Sequence, residues 1–224
     1  MMQPLHGAEP IARAEPLREA VYDRVVSRIR SGEFLPGEAV TEAGLSRSLQ
    51  VSRTPVREAL LRLQAEGVLQ SALARGFTIR PLMRREAADL YPILAALEGL
   101  AVRSIGSLPS ATAETLRGTV EELGGCDDPV RRRRLDTAFH ATVVSAAGNR
   151  HLTELTEQLR TNLSRYELAY MRAVLDRRHA DREHEEILAA MISGDLDRAA
   201  SLLSGHWHDG MHRILEWLDT QERV

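Results

Sequence analysis

The chain has 224 residues, 43% of them hydrophobic, enough for one large or two small domains with real cores. Its net charge of −3 excludes a chain that is basic throughout, and its one cysteine, Cys126, excludes an internal disulfide framework. All 29 basic residues are arginine and only 4% of residues are aromatic, a composition that favours helices. Residues 1–16 are rich in proline and alanine, lack any period, and are expected to form a disordered tail. They hold no apolar signal-peptide stretch, and no later run approaches membrane-spanning length. A reducing cytoplasm, with no membrane partner, is the expected setting.

Residues 17–81 read as helix, helix, helix, hairpin. Leu17, Val21, Val25 and Ile29 recur at i, i+4 spacing and predict a first helix over Leu17–Arg30. Gly32 stops it, and Phe34-Leu35-Pro36-Gly37 turns the chain. Thr41 can cap a short second helix that runs to Leu49. Gln50-Val51-Ser52 is then a tight connection into a third helix, with Ser52 and Thr54 as available N-caps and Pro55 in its first turn. Val56, Ala59, Leu60 and Leu63 form its buried stripe, while Arg53 and Arg57 lie off that stripe at the positive helix end. Gly67 ends the helix. Val68-Leu69 and Phe77-Thr78-Ile79 read as two short strands with Arg75-Gly76 at their turn. A buried rear, a basic N-terminal front and a basic hairpin tip suit insertion into a DNA major groove.

The wording of this stretch adds to the pattern. SRTPVREAL, preceded by GEFLPGEAVTE and followed by RGF, closely resembles the winged helix-turn-helix of the GntR family of bacterial transcription regulators. The resemblance implies contacts to double-stranded DNA from Ser52, Arg53, Thr54, Arg57, Arg75 and Gly76. Charge distribution agrees: residues 17–81 hold ten arginines against seven acidic residues, and residues 82–224 hold eighteen against twenty-three. A basic DNA reader attached to an acidic partner domain fits this split.

Pro81 closes the first module. Helical patterns then run over Arg84–Ile105, Ser110–Leu123, Pro129–Ala147, His151–Leu175, Asp176–Ile192 and Leu196–Gln221, with no convincing strand among them. Short loops between such helices predict an antiparallel all-helical bundle over residues 82–224. The fold class expected is therefore mainly α. Arg131 to Arg134, a charge run near a helix start, reads as a solvated face.

The chain has eight histidines. Sorting by neighbours one turn away separates them. His184 shares a face with Ala180, Ile187, Leu188 and Met191, and His206 follows Ala199 and Leu203, so both point inward. His179, His208 and His212 fall on polar stripes. His140 lies one turn after Asp136, beside Phe139 and Val143. Asp136, His140, His184 and His206 are thus polar groups at or near inward faces of three helices. Two readings stand at this point: four separate core groups with local hydrogen bonds, or one site for a divalent transition metal, Zn²⁺, Ni²⁺, Mn²⁺ or Fe²⁺.

LDTAFHATVVSAAGNRHL and EHEEILAAMISGDLDRAASLLSGHW are similar to the helical FCD ligand-binding domain of the FadR branch of GntR regulators, over residues 84–218. That resemblance implies metal ligands at Asp136, His140, His184 and His206. Similar regulators carry an arginine on the first bundle helix, three residues before a Leu-Glu pair, which holds a ligand carboxylate. Here Leu97-Glu98 is present but the position is Leu94, and an aliphatic side chain cannot make a bidentate carboxylate contact. Arg103 and Arg172 are the substitutes to consider for the effector. The reading is a homodimeric, ligand-responsive regulator, a repressor on a palindromic operator, and not an enzyme. A dedicated metal sensor is the alternative, and a metalloenzyme a more distant one.

Overall fold

The computed structural model describes residues 15–72, 76–174 and 178–221. Most of the expected tail, Arg75 at the hairpin tip, and the expected junction at Leu175-Asp176 lie outside the described residues.

The N-terminal module forms where the apolar spacing requires it. Helix α1 spans Glu15–Arg30, α2 Glu42–Leu49 and α3 Arg53–Ala65. Thr41 caps α2, its hydroxyl accepting from Gly44 N at 3.1 Å. Gln50 then adopts a left-handed conformation at φ 55°, which turns the chain into α3 without a glycine. Ser52 occupies the cap position of α3, but its side chain makes no capping hydrogen bond. Gly67, at φ 81°, ends α3 and returns Val68 N to Leu63 O at 2.9 Å.

Strands β2 (Leu69–Ala72) and β3 (Gly76–Ile79) make the antiparallel wing, with Leu69 opposite Ile79. A third strand, β1 (Ala39–Val40), pairs with the outer edge of β3, Val40 opposite Phe77, giving the order β1-β3-β2. The sequence reading had no strand there, because two residues carry no alternation. Val25, Val56, Leu60, Leu63, Val68 and Ile79 are fully enclosed and form this module's own core.

The second module is a helical bundle: α4 (Arg84–Arg103), α5 (Ser110–Gly124), α6 (Pro129–Ser145), α7 (Arg150–Ala173), α8 (Arg178–Ile192) and α9 (Leu196–Gln221). Leu94, Phe139, Val143, Leu163, Ile187 and Leu203 lie in its core. Asp128 caps α6 by accepting from Arg131 N, and Pro129 follows as the first helical residue. The arginine run departs from the expected solvated face. Arg131 and Arg134 are exposed, but Arg132 and Arg133 are buried. Four consecutive helical residues sweep about 300° around the axis, so a run of four cannot stay on one face. Arg132 donates to Leu123 O and Cys126 O and pairs with Asp181; Arg133 pairs with Glu167 at 3.2 Å.

Helix α7 joins the two modules. One side faces the bundle with Arg160, Leu163, Tyr166 and Glu167. The other side meets the DNA-reading module: Arg30 donates to Thr161 Oγ1 at 2.5 Å, Asn162 Nδ2 to Glu66 O at 2.8 Å, and Arg165 to Arg80 O at 3.1 Å.

Candidate functional site

The bundle brings four groups from three helices together. Asp136 and His140 sit one turn apart on α6, His184 comes from α8 and His206 from α9. All four are buried, and one ligating atom of each lies within 4.8 Å of the others. His140 Nε2 is 3.8 Å from Asp136 Oδ1, and His184 Nε2 is 3.5 Å from the same oxygen.

What fixes these rings is the opposite nitrogen. His140 Nδ1 bonds Glu98 Oε2 at 2.7 Å, His184 Nδ1 bonds Ala180 O at 2.8 Å, and His206 Nδ1 bonds Glu183 Oε2 at 2.7 Å. Each Nδ1 faces an acceptor and therefore carries the proton, so each Nε2 presents a lone pair. His140 Nε2 and His184 Nε2 are buried and have no hydrogen-bond partner. Burial holds His140 below its ordinary pKa and takes His206 down to about 4, so both are neutral at pH 7. Burial alone would raise the Asp136 carboxyl, but the facing imidazoles and Arg160 hold it well below the usual carboxylate range. Three imidazoles and one carboxylate, with two orphaned nitrogens, fit a divalent transition metal.

A second ring of groups supports the first. Glu98, completely buried on α4, accepts from His140 and from Trp207 Nε1 at 2.8 Å, and faces Arg160 Nη1 at 3.5 Å. Arg160 on α7 also donates to Asp136 Oδ2 at 2.9 Å. Glu183 on α8 takes Arg213 at 3.3 Å besides His206; burial pushes its carboxyl up, and these two partners pull it down to about 2. The sequence reading missed Glu98, Arg160 and Glu183. Glu98 was within reach of the same sorting, since it falls on the inward stripe of Tyr91, Leu94, Ala95 and Val102.

A cavity of about 100 Å³ opens beside these residues, lined by Asp136, His184 and His206 together with Tyr91, Glu167, Tyr170, Trp207 and Arg213 among others. Neither Arg103 nor Arg172 reaches it. Arg103 is half exposed and pairs with Asp197 at 3.3 Å, and Arg172 donates to Gly32 O at 3.4 Å in the seam between modules. Leu94 is fully enclosed in the bundle core.

On the other module, Ser52, Arg53, Thr54 and Arg57 form an exposed cluster at the N-terminus of α3, opposite the buried Pro55, Val56, Ala59 and Leu60. Arg57 has one loose contact, to Glu42 at 3.8 Å. Gly76 is exposed at φ 78°, with nothing within 4 Å of where a side chain would begin.

Comparison with known proteins places both modules. Residues 17–79 match the model for bacterial regulatory proteins of the gntR family, and residues 89–209 match the FCD domain. The "Probable D-xylose utilization operon transcriptional repressor" of Paenarthrobacter nicotinovorans is 32% identical over 83% of both chains. The Nta operon transcriptional regulator of Aminobacter aminovorans is 31% identical over 83% of this chain and 89% of its own. Among solved structures, Escherichia coli McbR/YncC superposes with a TM-score of 0.83 at 22% identity, covering 90% of this chain and 98% of that one, which speaks to the fold. With a GntR-type winged helix-turn-helix followed by an FCD bundle, this chain belongs to the GntR family of bacterial transcription regulators, which are DNA-binding proteins and not enzymes.

Proposed function

We propose that this regulator is a homodimeric repressor whose bundle holds a divalent transition metal, and that a small-molecule effector bound beside the metal alters the placement of the DNA-reading modules. The buried Nε2 atoms of His140 and His184, without a hydrogen-bond partner and 3.8 and 3.5 Å from Asp136 Oδ1, carry the metal part of this reading. His140, His184, His206 and Asp136 would hold the ion, zinc being the first candidate and nickel, manganese or iron the others. When bound, it supplies a Lewis-acidic anchor for an effector oxygen or nitrogen. The chain's own residues do the rest. Glu98, Ala180 O and Glu183 fix the three rings, Trp207 and Tyr170 wall the cavity, and Arg160 ties Asp136 to α7.

Ser52, Arg53, Thr54 and Arg57 are the DNA contacts on α3, with Gly76 and Arg75 at the wing. A single module makes few base contacts, so two must act together on a palindromic operator in the cytoplasm. Helix α4 offers a surface for pairing. Ile93 and Leu100, two turns apart, are 49% and 50% exposed, and Ala96 lies exposed between them. The protein is expected to sediment as a dimer at micromolar concentration, and Ile93→Glu with Leu100→Glu to shift it to monomer. A wild-type monomer would contradict the paired reading.

The deciding experiment is elemental analysis of protein purified without chelator or histidine tag, with thermal melts before and after chelation. About one equivalent of metal per chain and a fall in Tm on removal are expected, with both effects lost in His184→Ala and His206→Ala. Metal below about a tenth of an equivalent, with no gain on adding Zn²⁺, Ni²⁺ or Mn²⁺, would return the four residues to ordinary core polar groups.

A further inference from the structure

The cavity beside the four ligands has an imbalance of hydrogen-bonding groups that points to the chemistry of its occupant. Among the described residues two arginines line it, and both are engaged. Arg132 is committed to Leu123 O, Cys126 O and Asp181, and Arg213 to both oxygens of Glu183. The Glu167 carboxylate is of the opposite kind, and the Tyr91 hydroxyl can both donate and accept. Both carboxylate oxygens of Glu167 and the hydroxyl of Tyr91 line the buried side of the cavity without a hydrogen-bond partner. Arg133 Nε lies 3.2 Å from Glu167 Oε2 and neutralises it, yet makes no aligned hydrogen bond to it. Burial pushes the Glu167 carboxyl up, with Arg133 and Arg160 opposing. A buried acceptor left without a donor is costly, and the ordinary remedy in a ligand cavity is a donor on the ligand.

We infer that the effector carries at least one hydrogen-bond donor, a hydroxyl or an ammonium group, received by Glu167 and Tyr91, in addition to the atom that meets the metal. A plain mono- or dicarboxylate can take the Tyr91 hydroxyl proton but offers Glu167 no donor. A hydroxy acid, a sugar or polyol, or an amino compound satisfies them. The apolar faces of Trp207, Tyr170 and Ile214 complete the wall and suit the carbon skeleton between the two polar ends. This inference rests on the metal-and-effector reading above and specifies the class of ligand within it.

The test uses full-length, zinc-loaded protein and matched probes differing by one donor: malate against succinate, lactate against propionate, and alanine against propionate. Affinity is read by calorimetry and thermal shift on wild type, Glu167→Leu and Tyr91→Phe. At least one donor-bearing probe should bind about ten-fold tighter than its partner in wild type. That ratio should fall toward one in either variant. Glu167→Leu strands the Arg133 charge and risks misfolding, whereas Tyr91→Phe keeps the ring packed on Trp207, 5.9 Å away between centroids, and so keeps the test standing. Equal affinity within every pair overturns the inference, as does binding by none of the probes. A preference that survives both substitutions also overturns it, because it then reflects chelation by the metal. Metal content and operator affinity are measured on the same preparations. Their loss in wild type sinks the metal reading itself; intact metal and operator binding without donor preference sinks only the ligand class.

Discussion

Glu98 shows how one residue can set the character of the centre without facing it. Its Oε2 receives both His140 Nδ1 and Trp207 Nε1, and its burial is complete. Burial would raise its carboxyl; His140 and Arg160 outweigh that and hold it below the ordinary value. A carboxylate behind an imidazole fixes the ring's tautomer and increases the basicity of the far nitrogen. Glu98→Gln keeps an oxygen for the two donors but removes the charge and turns an NH₂ group toward Arg160. Metal affinity, measured by competition with a chelator, should fall about 10–100-fold while the helical circular dichroism stays. Unchanged affinity would mean that Glu98 serves packing alone. The inward placement of Asp136, His140, His184 and His206 was legible in the sequence because helical spacing sorts faces, and their grouping as ligands of one ion came from the FCD resemblance. Their supports were not, because a face assignment cannot say which distant side chain it will meet: Glu98 finds His140 42 residues away and Arg160 finds Asp136 24 residues away.

At the scale of elements, the periodicity of α1, α3 and the six bundle helices was strong enough to read, since each buries an apolar stripe against a neighbour. What escaped was structure with no period of its own. Strand β1 is two residues held by its pairing to β3, and the burial of Arg132 and Arg133 depends on carbonyls and acids contributed by other elements. Helix α3 illustrates the legible case and yields a prediction. Its rear, from Pro55 to Leu63, is anchored in the module core, which leaves Arg53 and Arg57 exposed one turn apart. The loose Glu42 contact of Arg57 at 3.8 Å is easily released, and the exposed ion pair is worth little. Arg57→Ala should weaken operator binding by about 1–3 kcal/mol at fixed salt if the guanidinium reads a base. Loss that is uniform across operator sequences would assign it to phosphate instead, and no loss in both Arg53→Ala and Arg57→Ala would remove this helix end from the DNA contact.

Across the whole molecule, α7 bonds both a proposed metal ligand and the DNA-reading module, as α4 does through Glu98 to His140 and Glu86 to Arg80. Arg160 Nη2 holds Asp136 Oδ2 at 2.9 Å, and two residues on, Asn162 Nδ2 donates to Glu66 O at 2.8 Å. Glu66 is the C-cap of α3, and its side chain is tied to Tyr22 of α1 at 2.6 Å and to Arg62 of α3 at 3.0 Å. A shift of Asp136 on effector binding therefore has a short route through a rigid helix to the far end of the DNA-reading helix. Effector can change operator affinity only through a difference in its affinity for two placements of the modules, and the same coupling energy must appear in both directions. Asn162→Ala removes one contact of that route and costs about 1 kcal/mol of stability. It leaves the metal ligands and the α3 arginines untouched. The variant should keep its metal content and its effector-free operator affinity. The factor by which effector changes operator affinity should shrink several-fold, on a coupling scale of about 1–3 kcal/mol. By linkage, the factor by which operator changes effector affinity should shrink equally, a reciprocity that simple loss of stability would not produce. Measuring both factors by titration in wild type and variant decides it: two unchanged factors would mean that α7 carries the modules without coupling them.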